Sequence, residues 1–424
     1  MKKFLFILLV FEVALGAAGA WAQETKNTPF QFHGFFLGIT TGRVTGKRPP
    51  GGNGSDFVLG EERLRLELKG ATPSGEAFFL VKGDGFHDAV ANEVHGDLRE
   101  AYAGYTKGPV DLRFGRQIVT WGTGDLFYIN DVFPKDWESF FEGRPMEYLK
   151  LGVDGFRTQL FSKVLNADIL VVPFFTPDNS LSSERFFFFD PFSAAPNRIE
   201  TKPELRYSNT ESAIRLYRQV AGSDLSFYFY RGFWRTPSAT ADNLTTPTTV
   251  TEFFPELFVY GSSLQRNLFG GVMSLEGGYY DSRQDNDGND PTIPNSQWRF
   301  LAGYQRELWR DFTAGFQFYG EIMDHYGAYR GALPAGFSVQ DRFRGVTSVR
   351  LTQWLRYQTL KLSLFAAMSP TDVDYFLQSE ISYRVTDNLG VAVGANIFGG
   401  RDETTFFGQL AKNDNVYFNV RYDF

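Results

Sequence analysis

Residues 415–424 read NVYFNVRYDF. Side chains of an extended chain alternate between two faces. Val416, Phe418, Val420, Tyr422 and Phe424 therefore share one face, and Arg421 lies on the other. An apolar ladder of this kind on an open sheet edge invites aggregation. Closing the sheet into a barrel removes the edge by pairing it with another strand. Residues 30–39, an aromatic and aliphatic run, form a suitable partner.

The same alternation recurs along the chain. In residues 63–69 (RLRLELK), Leu64, Leu66 and Leu68 oppose Arg63, Arg65, Glu67 and Lys69. In residues 311–321, Phe312, Ala314, Phe316 and Phe318 oppose Thr313, Gln317, Tyr319 and Glu321. In residues 375–384, Tyr375, Leu377, Ile381 and Tyr383 oppose Gln378, Glu380 and Arg384. A charge facing the bilayer midplane costs about 2–4 kcal/mol, so the apolar sets face lipid and the charged sets face a watery lumen. The expected lumen charges are Arg63, Arg65, Glu67, Lys69, Glu321, Glu380, Arg384 and Arg421. A soluble β-sandwich alternates as well. Composition favours the membrane barrel: 45 Phe, 20 Tyr and 43 Gly supply the aromatic girdles and tight turns that it needs. A mean hydropathy of −0.25, with no long apolar run after the N-terminal segment, excludes a helical membrane protein.

Short turns alternate with long polar connections. The turns fall near residues 71–75, 106–109, 162–166, 221–223, 267–270, 308–310, 356–358 and 386–388. Eight turns and nine longer connections join eighteen strands; boundaries read this way slip by several residues, and sixteen strands also fit. The expectation is an all-β fold, a transmembrane antiparallel up-and-down barrel of about 18 strands with its long loops outside. Residues 1–22 look like a secretory leader. Lys2 and Lys3 precede an apolar run over 4–15, and Ala20-Trp21-Ala22 fits a cleavage site. A single barrel domain is then expected over 23–424, in the outer membrane of a Gram-negative bacterium. Phe418, Tyr422 and Phe424 resemble the terminal signal that such barrels present to their insertion machinery.

The third long connection, about residues 121–148, holds Trp121, Trp137, six acidic residues and Arg144. A loop of that length inside a compact fold is functional or disordered, and this one is too aromatic for a disordered linker. It follows LREAY at 98–102 and LRFGRQIVTWG at 112–122, and it contains Asp125, Asn130, Asp131, Pro134 and Asp136. These motifs resemble a family of outer-membrane proteins of unassigned function, similar in style to the alginate-export and phosphate-selective porins. The alginate exporters share a similar G-R-Q strand and have eighteen strands. The close match covers this part of the chain; the rest agrees in architecture alone. The resemblance implies a porin-like channel.

In general diffusion porins the third external loop folds inward and narrows the channel. The constriction candidates here are Arg113, Arg116, Gln117, Asp125, Asp131, Asp136 and Arg144. Strict alternation puts Arg113, Gly115 and Gln117 on one face and Arg116 on the lipid face. A bulge at Gly115 turns Arg116 inward toward Asp125, Asp131 or Asp136, which is the preferred reading. The alternative leaves Arg116 outward, snorkelling near the interface.

Other function classes find little footing. A formal net charge of −7 is no footprint of nucleic-acid binding. The absence of Cys removes disulfides, thiolate sites and haem attachment. The run DNDGND at 285–290 departs from a calcium loop in the place of its Gly. The four His lack HExxH spacing, and no G-x-S-x-G occurs. No metal, cofactor or enzymatic activity is expected. The leading expectation is passive passage of small or polymeric solutes, narrowed by the third loop. The alternatives are a barrel that sheathes a periplasmic partner such as an electron carrier, and a conduit for hydrophobic molecules gathered at FFFFDPF, residues 186–192.

Overall fold

The structure is a computed structural model that describes residues 30–52 and 55–424; the leader expected over residues 1–22 lies outside them. The strands are β1 (Phe30–Arg43), β2 (Phe57–Ala71), β3 (Ala77–Asp88), β4 (Glu93–Lys107), β5 (Val110–Gln117), β6 (Val153–Leu160) and β7 (Asn166–Val172). They continue as β8 (Asn197–Thr201), β9 (Glu211–Val220), β10 (Ser223–Phe233), β11 (Ser238–Ala241), β12 (Thr249–Phe253), β13 (Glu256–Leu268) and β14 (Gly271–Ser282). The last are β15 (Gln297–Trp309), β16 (Phe312–Met323), β17 (Phe343–Leu355), β18 (Leu360–Ser369), β19 (Asp374–Arg384), β20 (Leu389–Gly400) and β21 (Asn415–Asp423).

Eighteen of them close one antiparallel barrel. β21 pairs with β1 from Phe35↔Asp423 to Arg43↔Asn415, so the terminal strand completes the ring. The eight tight turns fall where the pattern of Gly and polar residues places them. β8, β11 and β12 form a separate three-stranded sheet within the loops, with β12 parallel to β8. The crossing is made by strands; no described helix is long and apolar enough to span a membrane.

Alternation sorts the side chains as the period of two requires. Leu66 and Leu68 are exposed on the outer face of β2, whereas Arg63 and Arg65 are buried inside. The buried apolar cluster does not lie between two sheets. It lies inside the barrel, where loop residues such as Phe133, Phe140, Phe141 and Phe186 pack with inward residues such as Tyr280, Phe376 and Phe398.

The wall is uneven. β5, β6 and β7 have eight, eight and seven residues, against fifteen in β4. The third loop leaves the barrel at this low sector. The bulge expected at Gly115 does not occur in the ladder: Ala101↔Arg116 and Arg116↔Asp154 continue the register of β5 with both neighbours. Gly115 takes a φ of +125° without adding a residue to the strand. Arg116 therefore stays on the outward face with Phe114, and its Nη1 donates to Asp154 at 3.0 Å. The irregularity sits one strand earlier. Lys82 and Gly83 of β3 face Glu100 and Leu98 of β4, and the extra residue is Arg99, which turns into the lumen.

Candidate functional site

The third loop runs from 118 to 152, somewhat longer than the stretch expected, and is held against the inner wall on two sides. On the first side the main anchor is Glu276, which alternation along β14 points inward with Ser274 and Tyr280. Its carboxylate accepts from the N–H of Thr123 (2.8 Å), Gly124 (3.2 Å) and Asn130 (2.8 Å). It also accepts from the Thr123 hydroxyl (3.0 Å) and Nδ2 of Asn130 (2.9 Å). One buried carboxylate thus satisfies three backbone donors of a chain that makes no ladder of its own, which a buried loop must achieve somehow. Arg350 of β17 holds Asp125 in a two-pronged pair, with Nη2 to Oδ1 at 2.9 Å. The Tyr280 hydroxyl donates to the Ile129 carbonyl at 2.6 Å.

Two glycines make room for this. Gly261 and Gly278 face each other across β13 and β14. A Cβ at 261 would overlap Oδ1 of Asn130, and one at 278 would stand 2.8 Å from Cγ2 of Ile129. The loop rests in the recess they leave.

On the opposite side the loop forms a short helix, α1 (Trp137–Phe141), whose N-terminus is capped by Asp136 accepting from the Ser139 N–H at 2.8 Å. Beyond it, Asn396 and Asn415 donate to the Phe141 carbonyl, both at 3.2 Å, and Thr41 donates to the Glu142 carbonyl at 2.6 Å. Arg144 pairs with Glu61 at 2.7 Å, and Glu61 with Arg63 at 2.6 Å. Glu147 bridges Arg65 (2.5 Å) and Arg421 (2.7 Å). The Tyr148 ring lies 4.6, 4.8 and 5.3 Å from the guanidinium carbons of Arg63, Arg65 and Arg99, a cation–π clasp out of water. Arg99 completes it by donating to the carbonyls of Glu147 (3.0 Å) and Lys150 (2.7 Å). Near the low sector, Trp121 donates to Asp168 of β7 at 3.1 Å.

A second loop, residues 173–196, lies over the first. The Ser182 N–H donates to Glu138 at 2.6 Å, and Arg185 pairs with Asp88 of β3 and reaches Glu142 at 3.3 Å. Asn413 exchanges hydrogen bonds with the backbone of Phe187 at 2.8 and 2.7 Å. Phe186 and Phe192 are buried, whereas Phe189 is 45% exposed, so the FFFFDPF run packs in part into the loop core. Burial pushes the Glu142 carboxyl up to about 8, against the pull of Arg144 and Arg185. Burial likewise lowers Lys135, although Asp131 opposes the shift.

No protein-family profile matches the chain, and no curated protein matches it in sequence. Solved structures do. OccK2 (OpdF) of Pseudomonas aeruginosa, solved with glucuronate, aligns with a TM-score of 0.57 at 11% identity, over 93% of this chain and 97% of that one. OccD3 (OpdP) of the same organism gives 0.56 at 8% identity over 93% and 91%. OccAB3 of Acinetobacter baumannii gives 0.55 at 9% over 93% and 99%. The fold is that of an outer-membrane porin.

Within this porin fold, the constriction candidates separate. Asp125, Asp131, Asp136 and Arg144 lie in the inward loop. Their partners are Arg350 for Asp125, Lys135 and Lys150 for Asp131, the α1 N-terminus for Asp136 and Glu61 for Arg144. Arg113 and Arg116, expected to pin the loop, make no ion pair with its acids, although the Arg116 stem packs against Gly152 at the end of the loop. Arg113 sits below, on Asp111 at 3.0 Å, and Arg116 faces outward because its strand stays in register. Gln117 is buried at the top of β5, where the loop departs. The expected lumen charges fall on the inward register. Glu67 pairs with Lys69 (2.5 Å), Glu321 accepts from Tyr319 (2.7 Å), Glu380 accepts from Tyr417 (3.1 Å), and Arg384 is exposed near a turn. Sequence reasoning missed Glu276, Arg350, Arg99 and the Gly261–Gly278 recess. Their only signal is a carboxylate, a guanidinium or a glycine at an inward position of a porin strand.

Proposed function

We propose that this chain is an outer-membrane channel through which small solutes pass passively, and not an enzyme. The observation that carries the reading is the 118–152 loop, tied across the lumen by inward residues of strands on both sides. Such anchoring narrows a pore and holds its bore constant, which a diffusion channel needs and a plain structural barrel does not. The part-exposed charges of both signs beside the loop, Asp125, Arg350, Glu147 and Arg421, set a transverse field that sorts solutes by charge, while Arg63, Arg65 and Arg144 are tucked under the loop in ion pairs. Residues 1–22 are read as a leader removed on export, residues 23–424 as one barrel, and Phe418, Tyr422 and Phe424 as the face offered to the insertion machinery in a Gram-negative outer membrane.

The test is single-channel conductance in a planar bilayer, wild type beside a deletion of residues 125–142. A steady wild-type conductance that rises several-fold on deletion supports a pore narrowed by this loop. Silence from both proteins overturns the channel reading.

A further inference from the structure

The outer face of the barrel carries its charge unevenly. Short turns mark the periplasmic end of an outer-membrane barrel. Close to three of these turns stand Arg218 of β9, Arg266 of β13 and Arg306 of β15. The register points all three outward. Arg218 shares a row with Leu225, Leu264 and Leu275, and Arg266 shares one with Met273 and Tyr304. Arg306 stands opposite Ala314. Leu275 and Phe227, on the same face, are 42% and 61% exposed, as lipid-facing residues are.

These cations have no counter-charge. All three residues are exposed, and none has an ion-pair or hydrogen-bond partner among the described residues. The acids nearest in sequence, Asp224 and Glu307, fall on the inward register, and Glu307 accepts from the Asp311 N–H at 2.9 Å. Arg310, in the turn, stands 3.6 Å from Asp311. The contrast lies elsewhere on the rim, where the outward Lys107 of β4 faces Glu76 at 3.6 Å. Three unpaired guanidiniums on β9, β13 and β15 thus make one sector of a single sign.

The surface between two of them is shaped as well. The Tyr304 hydroxyl donates to the Phe269 carbonyl at 3.0 Å, and its ring lies over Gly271, where a Cβ would meet it at 2.7 Å. Arg306 rests beside the same turn, its guanidinium carbon 3.6 Å from where a Cβ of Gly270 would stand. Arg266 and Arg306 therefore flank a tyrosine and two glycines. A lone charge on the lipid face is costly near the midplane and far less so at the interface, where a long side chain reaches the headgroups. A guanidinium there matches a phosphate.

We propose that this sector of the periplasmic rim binds an anionic phospholipid of the inner leaflet, and that a lipid with two phosphates, cardiolipin, fits it best. Neighbouring strands lie about 4.8 Å apart, so the stems of Arg266 and Arg306, two strands apart, stand about 10 Å from each other across the sheet. Two phosphates joined by one glycerol engage both guanidiniums, and the acyl chains follow Met273, Leu264 and Leu275 upward. A zwitterionic lipid brings an ammonium that cancels the attraction. The inference is separate from what the channel passes and takes from that reading only the orientation of the barrel.

The experiment is native mass spectrometry of the full barrel, refolded in detergent free of native lipid and titrated with cardiolipin, phosphatidylglycerol and phosphatidylethanolamine. Cardiolipin is expected to bind at least about ten-fold tighter than phosphatidylethanolamine, with phosphatidylglycerol between them. Arg266→Gln and Arg306→Gln are each expected to weaken cardiolipin about five-fold, and Lys107→Gln, outside the sector, to leave it unchanged. Arg218→Gln serves where either variant does not fold, as judged by its heat-modified gel shift. Equal binding of the three lipids overturns the proposal, as does unchanged cardiolipin affinity in the folded Arg266 and Arg306 variants. Displacement of cardiolipin by inorganic phosphate alone overturns the lipid as the occupant. A protein that conducts steadily but shows no lipid preference overturns this inference and leaves the channel reading standing.

Discussion

Phe424 and Gly34 exchange both of their backbone hydrogen bonds, at 2.9 and 3.0 Å, and the Phe424 ring lies where a side chain at 34 would stand. A Cβ on Gly34 would come within 2.6 Å of that ring and of the Arg65 carbonyl oxygen on the other side. The ring also contacts Phe36 at 5.5 Å. The seam between β1 and β21 is thus closed by a glycine that admits an aromatic. Gly34→Val is expected to destabilise closure by about 1–3 kcal/mol, because one of the two contacts is to backbone that cannot move aside. Lower thermal resistance of the folded band on a semi-native gel checks this. Unchanged resistance would show that the seam tolerates a side chain.

Glu276 and Arg350 both hold the third loop, but with unequal force. Glu276 is buried and receives five hydrogen bonds from Thr123, Gly124 and Asn130. Replacing it by Ala strands those donors, at a cost of about 2–4 kcal/mol to the loop's attachment. The Arg350–Asp125 pair is part-exposed, with side chains at 31% and 39%, and its loss costs about 1 kcal/mol or less. Single-channel recording separates them. Glu276→Ala is expected to raise conductance and open-channel noise, and Arg350→Ala to change both only slightly. The reverse order would move the main anchor to β17.

Glu142 makes the loop sensitive to pH. Burial holds its carboxyl at about 8, above its ordinary value of 4.5. A group whose folded value is the higher one contributes stability that is complete below its unfolded value and is lost as pH rises through its folded value. The contribution of Glu142 to holding the loop is therefore complete at about pH 4.5 and below and is lost as pH rises through about 8. Open-channel noise is expected to grow from pH 6 to pH 9. Glu142→Gln, neutral throughout, is expected to flatten the dependence, and a Gln variant that keeps the full slope would assign it to another group.

Arg116 and Asp154 form an isolated ion pair on the outward face, between Phe114 and Phe156 in the strand sequence. Removing one partner leaves a lone charge toward lipid, at a cost of about 2–4 kcal/mol near the midplane and less toward the interface. Arg116→Leu and Asp154→Leu are each expected to lower stability, and the double variant to recover most of it. Urea unfolding in lipid vesicles measures the cycle. Additive losses would show that the pair is not coupled.

Much of the architecture was legible because a barrel strand obeys a local rule. Lipid on one side and water on the other impose a period of two, and runs such as RLRLELK at 63–69 or NVYFNVRYDF at 415–424 carry it openly. The turns announced themselves through Gly and polar residues, and the third loop through its length and its aromatics. The site was legible only in part. Asp125 and Arg144 were recognised as loop residues, but their partners were not.

The sequence by itself determined the barrel, the alternation of its clearest strands and the presence of one long aromatic loop, since each depends on residues near one another in the chain; it left the strand count at sixteen or eighteen. Only the tertiary structure decided which inward residues meet the loop. Glu276 reaches Thr123 across 153 positions, Arg350 reaches Asp125 across 225, and Gly261 yields to Asn130 across 131. It also decided that Arg116 faces outward, because the ladder continued through Gly115. Closing the ring sets which distant strands face each other across the lumen, and alternation along one strand carries no record of that distance.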